Sequence, residues 1–158
     1  MIQKATLAQL PEILKLYAQA RMFMAQNGNP DQWGNAYPPE EMIREDIENG
    51  KSYVNLENGH IRAVFYFAVE EDPTYSYIEG AWLNDAPYGV IHRIAVGESG
   101  KGVAAECIRF AYERCGNLRI DTHEKNIPMQ GCLAKNGFAR CGIIYLEDGD
   151  PRIAYQKE

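Results

Sequence analysis

The fold is decided by residues 89–115, GVIHRIAVGESGKGVAAECIRFAYERC. Residues Gly89–Val96 are mostly apolar and β-branched, which is typical of a buried central strand. A helix is predicted from Gly102 to Cys115, because apolar residues recur there at helical spacing and Gly116 supplies a stop signal. A strand that leads through glycines into a helix presents free backbone N–H groups and the positive end of the helix dipole. This stretch therefore favours phosphate binding.

The segments on either side complete a pattern of alternating strands and helices. They are defined by apolar periodicity, by capping residues and by the hairpin signal Asn58-Gly59. They comprise a strand at Met1–Ala5, helices at residues 6–26 and Pro39–Asn49, strands at Ser52–Glu57 and Ile61–Val69, an extended piece at Tyr75–Leu83, a strand at Leu118–Thr122, a helix at Asn126–Asn136, a strand at Phe138–Leu146 and an edge strand at Arg152–Gln156. This order predicts an α/β fold: one domain, residues 1–158, with a mixed central sheet and helices on both faces.

The composition is that of an ordinary globular protein. Of 158 residues, 46% are hydrophobic and 24% are charged, so the chain can bury a core without disulfides or metals. With 16 basic and 22 acidic residues the net charge is −6, which disfavours nucleic acids and anionic membranes as partners. The four cysteines lack zinc or CxxC spacing and are interpreted as reduced core thiols. We therefore expect no bound metal. Since no signal peptide or membrane span is recognised, we also expect a cytoplasmic protein.

The glycine-rich turn matches two phosphate-binding motifs to different degrees. Gly100, Gly102 and Ala105 satisfy the dinucleotide fingerprint GxGxx(G/A), and Asp121 follows about twenty residues on, where a ribose ligand is expected. Against an NAD-type protein, this motif stands past the middle of the chain, whereas the fingerprint normally opens a doubly wound sheet. A Walker A loop is excluded because Lys101 is followed by glycine and not by serine or threonine.

Residues Val96–Ala105, together with Asn126 and Gly137-Phe138, resemble the GNAT superfamily of acyl-CoA-dependent N-acetyltransferases. The family fingerprint, (Arg/Gln)-x-x-Gly-x-(Gly/Ala), begins here at Ser99. The resemblance covers almost the whole chain and implies a mostly antiparallel sheet. It also implies transfer of an acetyl group from acetyl-CoA to a primary amine, of a small molecule or a peptide, by direct attack in a ternary complex. Two positions depart from the family pattern, since Ser99 replaces the usual Arg or Gln and Leu133 stands where a tyrosine acid is often found.

The resemblance also implies which residues would bind acetyl-CoA. The backbone of Ile94, Ala95 and Val96 would pair with the pantetheine arm as a further strand does, and one of its N–H groups would polarise the thioester carbonyl. Asn126 and Met129 would line the thiol end. The pyrophosphate would be held by the turn and the start of the helix, which contain Ser99, Gly100, Lys101, Gly102, Val103 and Ala104.

Acetyl transfer to an amine requires a base, because a protonated amine has no lone pair with which to attack. His92 is the first candidate, since it lies on the predicted central strand four residues before Val96. By resemblance, a histidine at a similar strand position is implicated in this role in some aromatic-amine acetyltransferases. Glu79 is a weaker catalytic candidate. Each residue also has a structural interpretation, in which its side chain only holds a strand in place.

Aromatic residues of the amino-terminal half are candidates for substrate binding. Trp33, Tyr37 and Trp82 suit an apolar or cationic amine, although side chains of this kind also fill cores. The acidic run Glu70-Glu71-Asp72 is typical of solvated surface. A non-catalytic acyl-CoA-binding module is a third alternative, and an exposed edge at Arg152–Gln156 would allow a homodimer.

Overall fold

The computed structural model describes residues 1–97 and 101–158, whose strands form one eight-stranded sheet. In chain order the strands are β1 Ile2–Lys4, β2 Ser52–Glu57, β3 His60–Val69, β4 Glu79–Gly80, β5 Gly89–Val96, β6 Leu118–Thr122, β7 Ala139–Tyr145 and β8 Pro151–Lys157. In space they lie in the order β1-β2-β3-β5-β6-β8-β7-β4. Within the described ranges, β5 and β6 form the one parallel pair, so the prediction of a mixed, mostly antiparallel sheet is confirmed.

Helices cover both faces of this sheet. They are α1 Leu10–Gln26, α2 Glu40–Glu48, α3 Val103–Cys115 and α4 Ile127–Lys135, with short 3-10 turns at Leu7–Gln9 and Pro73–Tyr75. None of the helices described is both long and apolar enough to cross a membrane.

Successive side chains of the strands point to opposite faces of the sheet, and each face forms a hydrophobic core with the helices that cover it. Val54 and Val64 point to one face, where they pack in a cluster with Ile13 of α1 and Ile43 of α2. The neighbouring Phe65 points to the other face and packs in a cluster with residues of α3 and α4. Burial of both faces explains why the central strands are apolar almost throughout.

The carboxyl-terminal strand does not lie at the position in the sheet that was predicted from its sequence. Arg152–Gln156 was predicted as an exposed edge, but β8 lies inside the sheet and pairs with β6 and β7 along its length. Its residues Arg152–Gln156 are all buried. The edge strands of the sheet are β1 and β4, so the expected route to a homodimer through this segment is wrong.

The segment Tyr75–Leu83 is also different from the extended piece that was predicted. Tyr75 ends a 3-10 turn, and only Glu79 and Gly80 form a strand, β4, which pairs with β7. The side chain of Tyr75 is buried and packs against Trp82, with ring centroids 5.1 Å apart. The aromatic residues of this segment, whose sequence pattern is typical of a strand, therefore pack a loop onto the sheet.

The sheet opens between its two parallel strands. In the described residues, β5 and β6 pair at Gly89 with Leu118 and at Val90 with Arg119, and not beyond. Further along β5, one residue of β3, Phe65, stands opposite two residues, Arg93 and Ile94, which is a β-bulge. This arrangement separates the carboxyl ends of β5 and β6 and leaves a gap in the middle of the sheet.

Candidate active site

A cavity of about 790 Å³ lies where β5 and β6 separate. Its walls are Ile91–Ile94 of β5, Ile120–Thr122 of β6, part of the loop between α1 and α2, the start of α4 and the turn between β7 and β8. A volume of this size suits a ligand that is larger than a single amino acid.

The edge of β5 that faces the gap is free of strand pairing. On its other edge β5 pairs with β3, through Ala95 with Val64 and Val96 with Ala63. Toward β6, Ile94, Ala95 and Val96 have no strand partner in the described parts of the chain. Backbone N–H and C=O groups without partners favour an extended ligand that carries amides. The three residues predicted to bind pantetheine therefore share one open strand edge.

The helix that follows has the start that was predicted. Gly102 is the N-cap of α3 with φ 73°, a left-handed conformation that glycine adopts without strain, and Val103 and Ala104 form the first turn. The N–H groups of a first helical turn have no acceptor within the helix and favour an anion. Lys101 is exposed next to this turn. The two other predicted pyrophosphate ligands, Ser99 and Gly100, lie outside the described residues.

His92 lies on β5 in the wall of the cavity and is paired with a carboxylate. Its Nε2 is 2.9 Å from Oδ2 of Asp72, and the two side chains are 23% and 16% exposed. Oδ1 of Asp72 accepts hydrogen bonds from the backbone N–H and the hydroxyl of Thr74, at 2.9 and 2.8 Å. Burial raises the pKa of Asp72, but the hydrogen bonds from His92 and Thr74 outweigh it and lower the pKa to about 2. Asp72 is therefore ionised at neutral pH and holds the imidazole in one orientation.

The sequence did not identify Asp72 as a site residue. It belongs to the acidic run that was interpreted as solvated surface, and this interpretation is wrong for Asp72, which lines the cavity. Its partner lies twenty positions along the chain and meets it only because β3 pairs with β5. No local sequence signal marks such a contact.

A second buried carboxyl group, that of Asp121, lies in the opposite wall of the cavity on β6. Its Oδ2 accepts a 2.7 Å hydrogen bond from the hydroxyl of Tyr75. Burial raises the pKa of Asp121, and the nearby His92 lowers it to a smaller extent. In the dinucleotide alternative, Asp121 would bind a ribose. The doubly wound parallel sheet that this alternative requires is not the fold found.

The start of α4 closes one end of the cavity. Oδ1 of Asn126 accepts a hydrogen bond from the backbone N–H of Met129 at 3.2 Å and so caps the helix, as predicted. Its Nδ2 donates to Oε1 of Gln32 at 2.9 Å, which ties the helix to the loop between α1 and α2. Close by, the Oγ1 of Thr122 is buried without a hydrogen-bond partner in the described residues. This end of the cavity therefore offers polar groups to a ligand.

The predicted substrate residues divide into two groups. Trp33 and Tyr37 line the cavity and pack on each other, with ring centroids 6.1 Å apart. Trp82 does not line it, since its indole lies over the guanidinium of Arg119 and donates a 3.0 Å hydrogen bond to the backbone oxygen of Tyr75. The structure therefore brings two of the three aromatic residues to the same wall.

Glu79, the second catalytic candidate, is not in the cavity wall either. It lies exposed on β4 at the edge of the sheet, where its Oε1 accepts a 2.9 Å hydrogen bond from the hydroxyl of Tyr145. Of the two candidate bases, the structure brings only His92 to the open edge of β5.

Comparison with solved structures finds acetyltransferases. An acetyltransferase of the GNAT family from Streptococcus agalactiae 2603 is 34% identical, with a TM-score of 0.91 over 99% of this chain and 94% of that one. A candidate acetyltransferase from Staphylococcus aureus Mu50 is 26% identical, with a TM-score of 0.74 over 100% and 98% of the two chains. The aminoglycoside acetyltransferase AAC(6′)-Ib, solved with ribostamycin and coenzyme A, shares the fold at 18% identity, with a TM-score of 0.67 over 99% and 92%. No protein-family model and no curated protein sequence matches the chain.

Proposed function

The chain belongs to the GNAT family of acetyltransferases, and we propose that it is an N-acetyltransferase acting on a primary amine of a small molecule or a peptide. The amine attacks the acetyl group of acetyl-CoA directly while both substrates are bound. We propose further that residues 1–158 act as one catalytic domain, in the cytoplasm. The observation that carries this proposal is the pair His92–Asp72 in a cavity bounded by the unpaired edge of β5.

The open strand edge and the start of α3 support acetyl-CoA as the acetyl donor. Acetyl-CoA supplies a thioester, whose carbonyl carbon is open to attack by an amine. Ile94, Ala95 and Val96 offer backbone groups to its pantetheine arm, and the first turn of α3 offers N–H groups to its phosphates. Asn126 and Met129 line the cavity together with Ile94, and the thiol would lie there.

His92 is the proposed base that deprotonates the ammonium group of the acceptor. A neutral imidazole that donates from Nε2 to the carboxylate of Asp72 keeps its lone pair on Nδ1, which then takes the proton directly or through water. Asp72 stabilises the imidazolium that results, because it stays ionised. Asp72 is therefore a positioning residue, and His92 is the catalytic one.

The walls of the cavity suit a positively charged acceptor. Among the residues described, six carboxylates and two guanidinium groups line it. One of the two, that of Arg93, is already paired with Asp46. The rings of Trp33 and Tyr37 add apolar surface on which the carbon chain of an amine can pack. A small primary amine fits this surface best. The amino group of a peptide is the alternative acceptor and is tested alongside it.

The donor is tested by thermal denaturation with acetyl-CoA, CoA and NADH in parallel. A ligand at about a hundred times its dissociation constant adds roughly 2.7 kcal/mol to the folded state. We expect an increase in Tm with acetyl-CoA and with CoA, and none with NADH. An increase with NADH alone contradicts the proposal.

The base is tested with His92→Gln, and His60→Gln on the exposed start of β3 is the matched control. Amine-dependent release of the CoA thiol is followed from about pH 5 to pH 8, the interval in which an unperturbed imidazole changes its charge. We expect His92→Gln to lower kcat by about 10²-fold, the lower end of the usual contribution of a general base, and to flatten the profile. An unchanged rate and profile would remove His92 from the mechanism. Binding of acetyl-CoA with no turnover of any amine would instead favour the non-catalytic module.

A further inference from the structure

One residue of the bulge in β5 has an unfavourable backbone conformation that its neighbours enforce. Arg93 has φ 51°, in the left-handed region that side chains other than glycine rarely adopt. Such a conformation persists only when the surrounding structure holds it. Arg93 directly follows His92 in the chain and lines the cavity beside it, so its conformation affects the position of the proposed base.

Side chains of α1, α2 and β3 hold this residue. Its Nε and Nη2 donate to the two carboxylate oxygens of Asp46 on α2, both at 3.0 Å, and the two side chains are 13% and 10% exposed. Its backbone oxygen accepts a 2.7 Å hydrogen bond from the hydroxyl of Tyr17 on α1. Its guanidinium also lies 4.7 Å from the ring centroid of Tyr66.

The same guanidinium contacts the wall where the acceptor would bind. Its Nη1 donates a 3.2 Å hydrogen bond to the hydroxyl of Tyr37. Tyr37 packs on Trp33, and Trp33 packs on Tyr17, with ring centroids 5.8 Å apart. The contacts therefore form a closed ring that runs from the bulge through the loop between α1 and α2 and back to the bulge.

We propose that Asp46, acting through Arg93, is a positioning residue that couples the acceptor loop to the bulge of β5 and thereby sets the affinity for the amine. This inference rests on the proposed function for the identity of the ligand, but the coupling is a property of the protein alone. Asp46 does not line the cavity, whereas Arg93 and Tyr37 do, so the contacts that lead from Asp46 to a bound amine run through Arg93. Acetyl-CoA depends on this ring much less, because Ala95 and Val96 of the strand edge offered to it are held by pairing with Val64 and Ala63 of β3.

The kinetic test is a double-mutant cycle of Asp46→Asn and Tyr37→Phe, with Tyr112→Phe on α3 as the matched control for removal of a hydroxyl. Each single variant is expected to raise the KM for the amine about 10-fold. The double variant is expected to raise it by about the same factor, because both substitutions interrupt the same connection through Arg93. The KM for acetyl-CoA is expected to change less than about twofold. Effects that multiply in the double variant, or that fall equally on acetyl-CoA, would overturn the coupling.

Amide hydrogen exchange of residues 91–96 in the unliganded variants gives a readout that needs no substrate. Faster exchange is expected in Asp46→Asn and in Tyr37→Phe, and an unchanged rate in Tyr112→Phe. Unchanged exchange in Tyr37→Phe overturns the proposal even if Asp46→Asn does not fold. Faster exchange in a protein that acetylates no amine would support the coupling and contradict the proposed function, so the two failures are distinguishable.

Discussion

Replacement of Asp72 by asparagine removes the charge that orients His92 while keeping the shape of the side chain. In the wild-type protein this carboxylate contacts Nε2 of His92 at 2.9 Å and accepts two hydrogen bonds from Thr74. An amide at this position can offer an N–H to His92, which would favour the wrong tautomer of the imidazole. We therefore expect Asp72→Asn to fold and to react more slowly with the amine.

The size of the effect follows from the pKa of Asp72. It falls from an ordinary value of 3.8 to about 2, and a difference of this size corresponds to about 2 kcal/mol in favour of the ionised group. If all of it acted on the imidazolium, kcat would fall about 30-fold. Because Thr74 provides two of the three hydrogen bonds to Asp72, about a third of this free energy acts on His92 and the expected loss in kcat is about 3-fold.

The assay follows the pH dependence of kcat/KM for the amine, by release of the CoA thiol at saturating acetyl-CoA. Asp72→Asn should lower kcat/KM for the amine across the profile, since the imidazolium formed on His92 loses its stabilising charge. Asp85→Asn, at an exposed position outside the cavity, is the matched control and should leave rate and profile unchanged. A wild-type rate and profile in Asp72→Asn would refute the reasoning that this carboxylate acts through His92.

Three further changes test other parts of the structure. Because the pKa of Asp72 is lowered in the folded protein, its contribution of about 2 kcal/mol to the free energy of unfolding is complete above about pH 5 and is lost as the pH falls toward about 2. Acid denaturation should therefore show a steeper loss of stability in the wild type than in Asp72→Asn. Gly102→Ala places a side chain at φ 73°, which should cost about 1 kcal/mol and weaken acetyl-CoA binding measured by calorimetry. Asn126→Ala removes the cap on the N–H of Met129 and should cost about 1 kcal/mol, a decrease in Tm of roughly 2–4 °C by calorimetric scanning, whereas a wild-type Tm would contradict the capping role.

The central strands could be predicted to the residue because their signals are local. β5 at Gly89–Val96 and β6 at Leu118–Thr122 have the predicted bounds, since β5 is a mostly apolar run that ends before Gly97 and β6 begins directly after Gly116-Asn117. The start of α4 at Asn126 was predictable for the same reason, because an N-cap acts on its own helix.

Strand order and the partners of charged residues could not be predicted in this way. The interior position of β8 depends on pairing with β6 and β7, which are distant in sequence, and its short apolar run equally fits an edge strand. Arg93 carries no sequence mark of a bulge, since neither glycine nor asparagine occupies the position of positive φ. Its conformation comes from contacts with Asp46 and Tyr17, which lie in two helices far from it in the chain.

The most direct measurement of the central claim is the mass of the acceptor after incubation with the protein and acetyl-CoA, over a set of primary amines that includes small cationic amines and a peptide. The account predicts that at least one amine gains the mass of one acetyl group, in step with release of CoA thiol, and that His92→Gln slows both together. Release of thiol without an acetylated amine, or no transfer to any amine by a protein that binds acetyl-CoA, would contradict it.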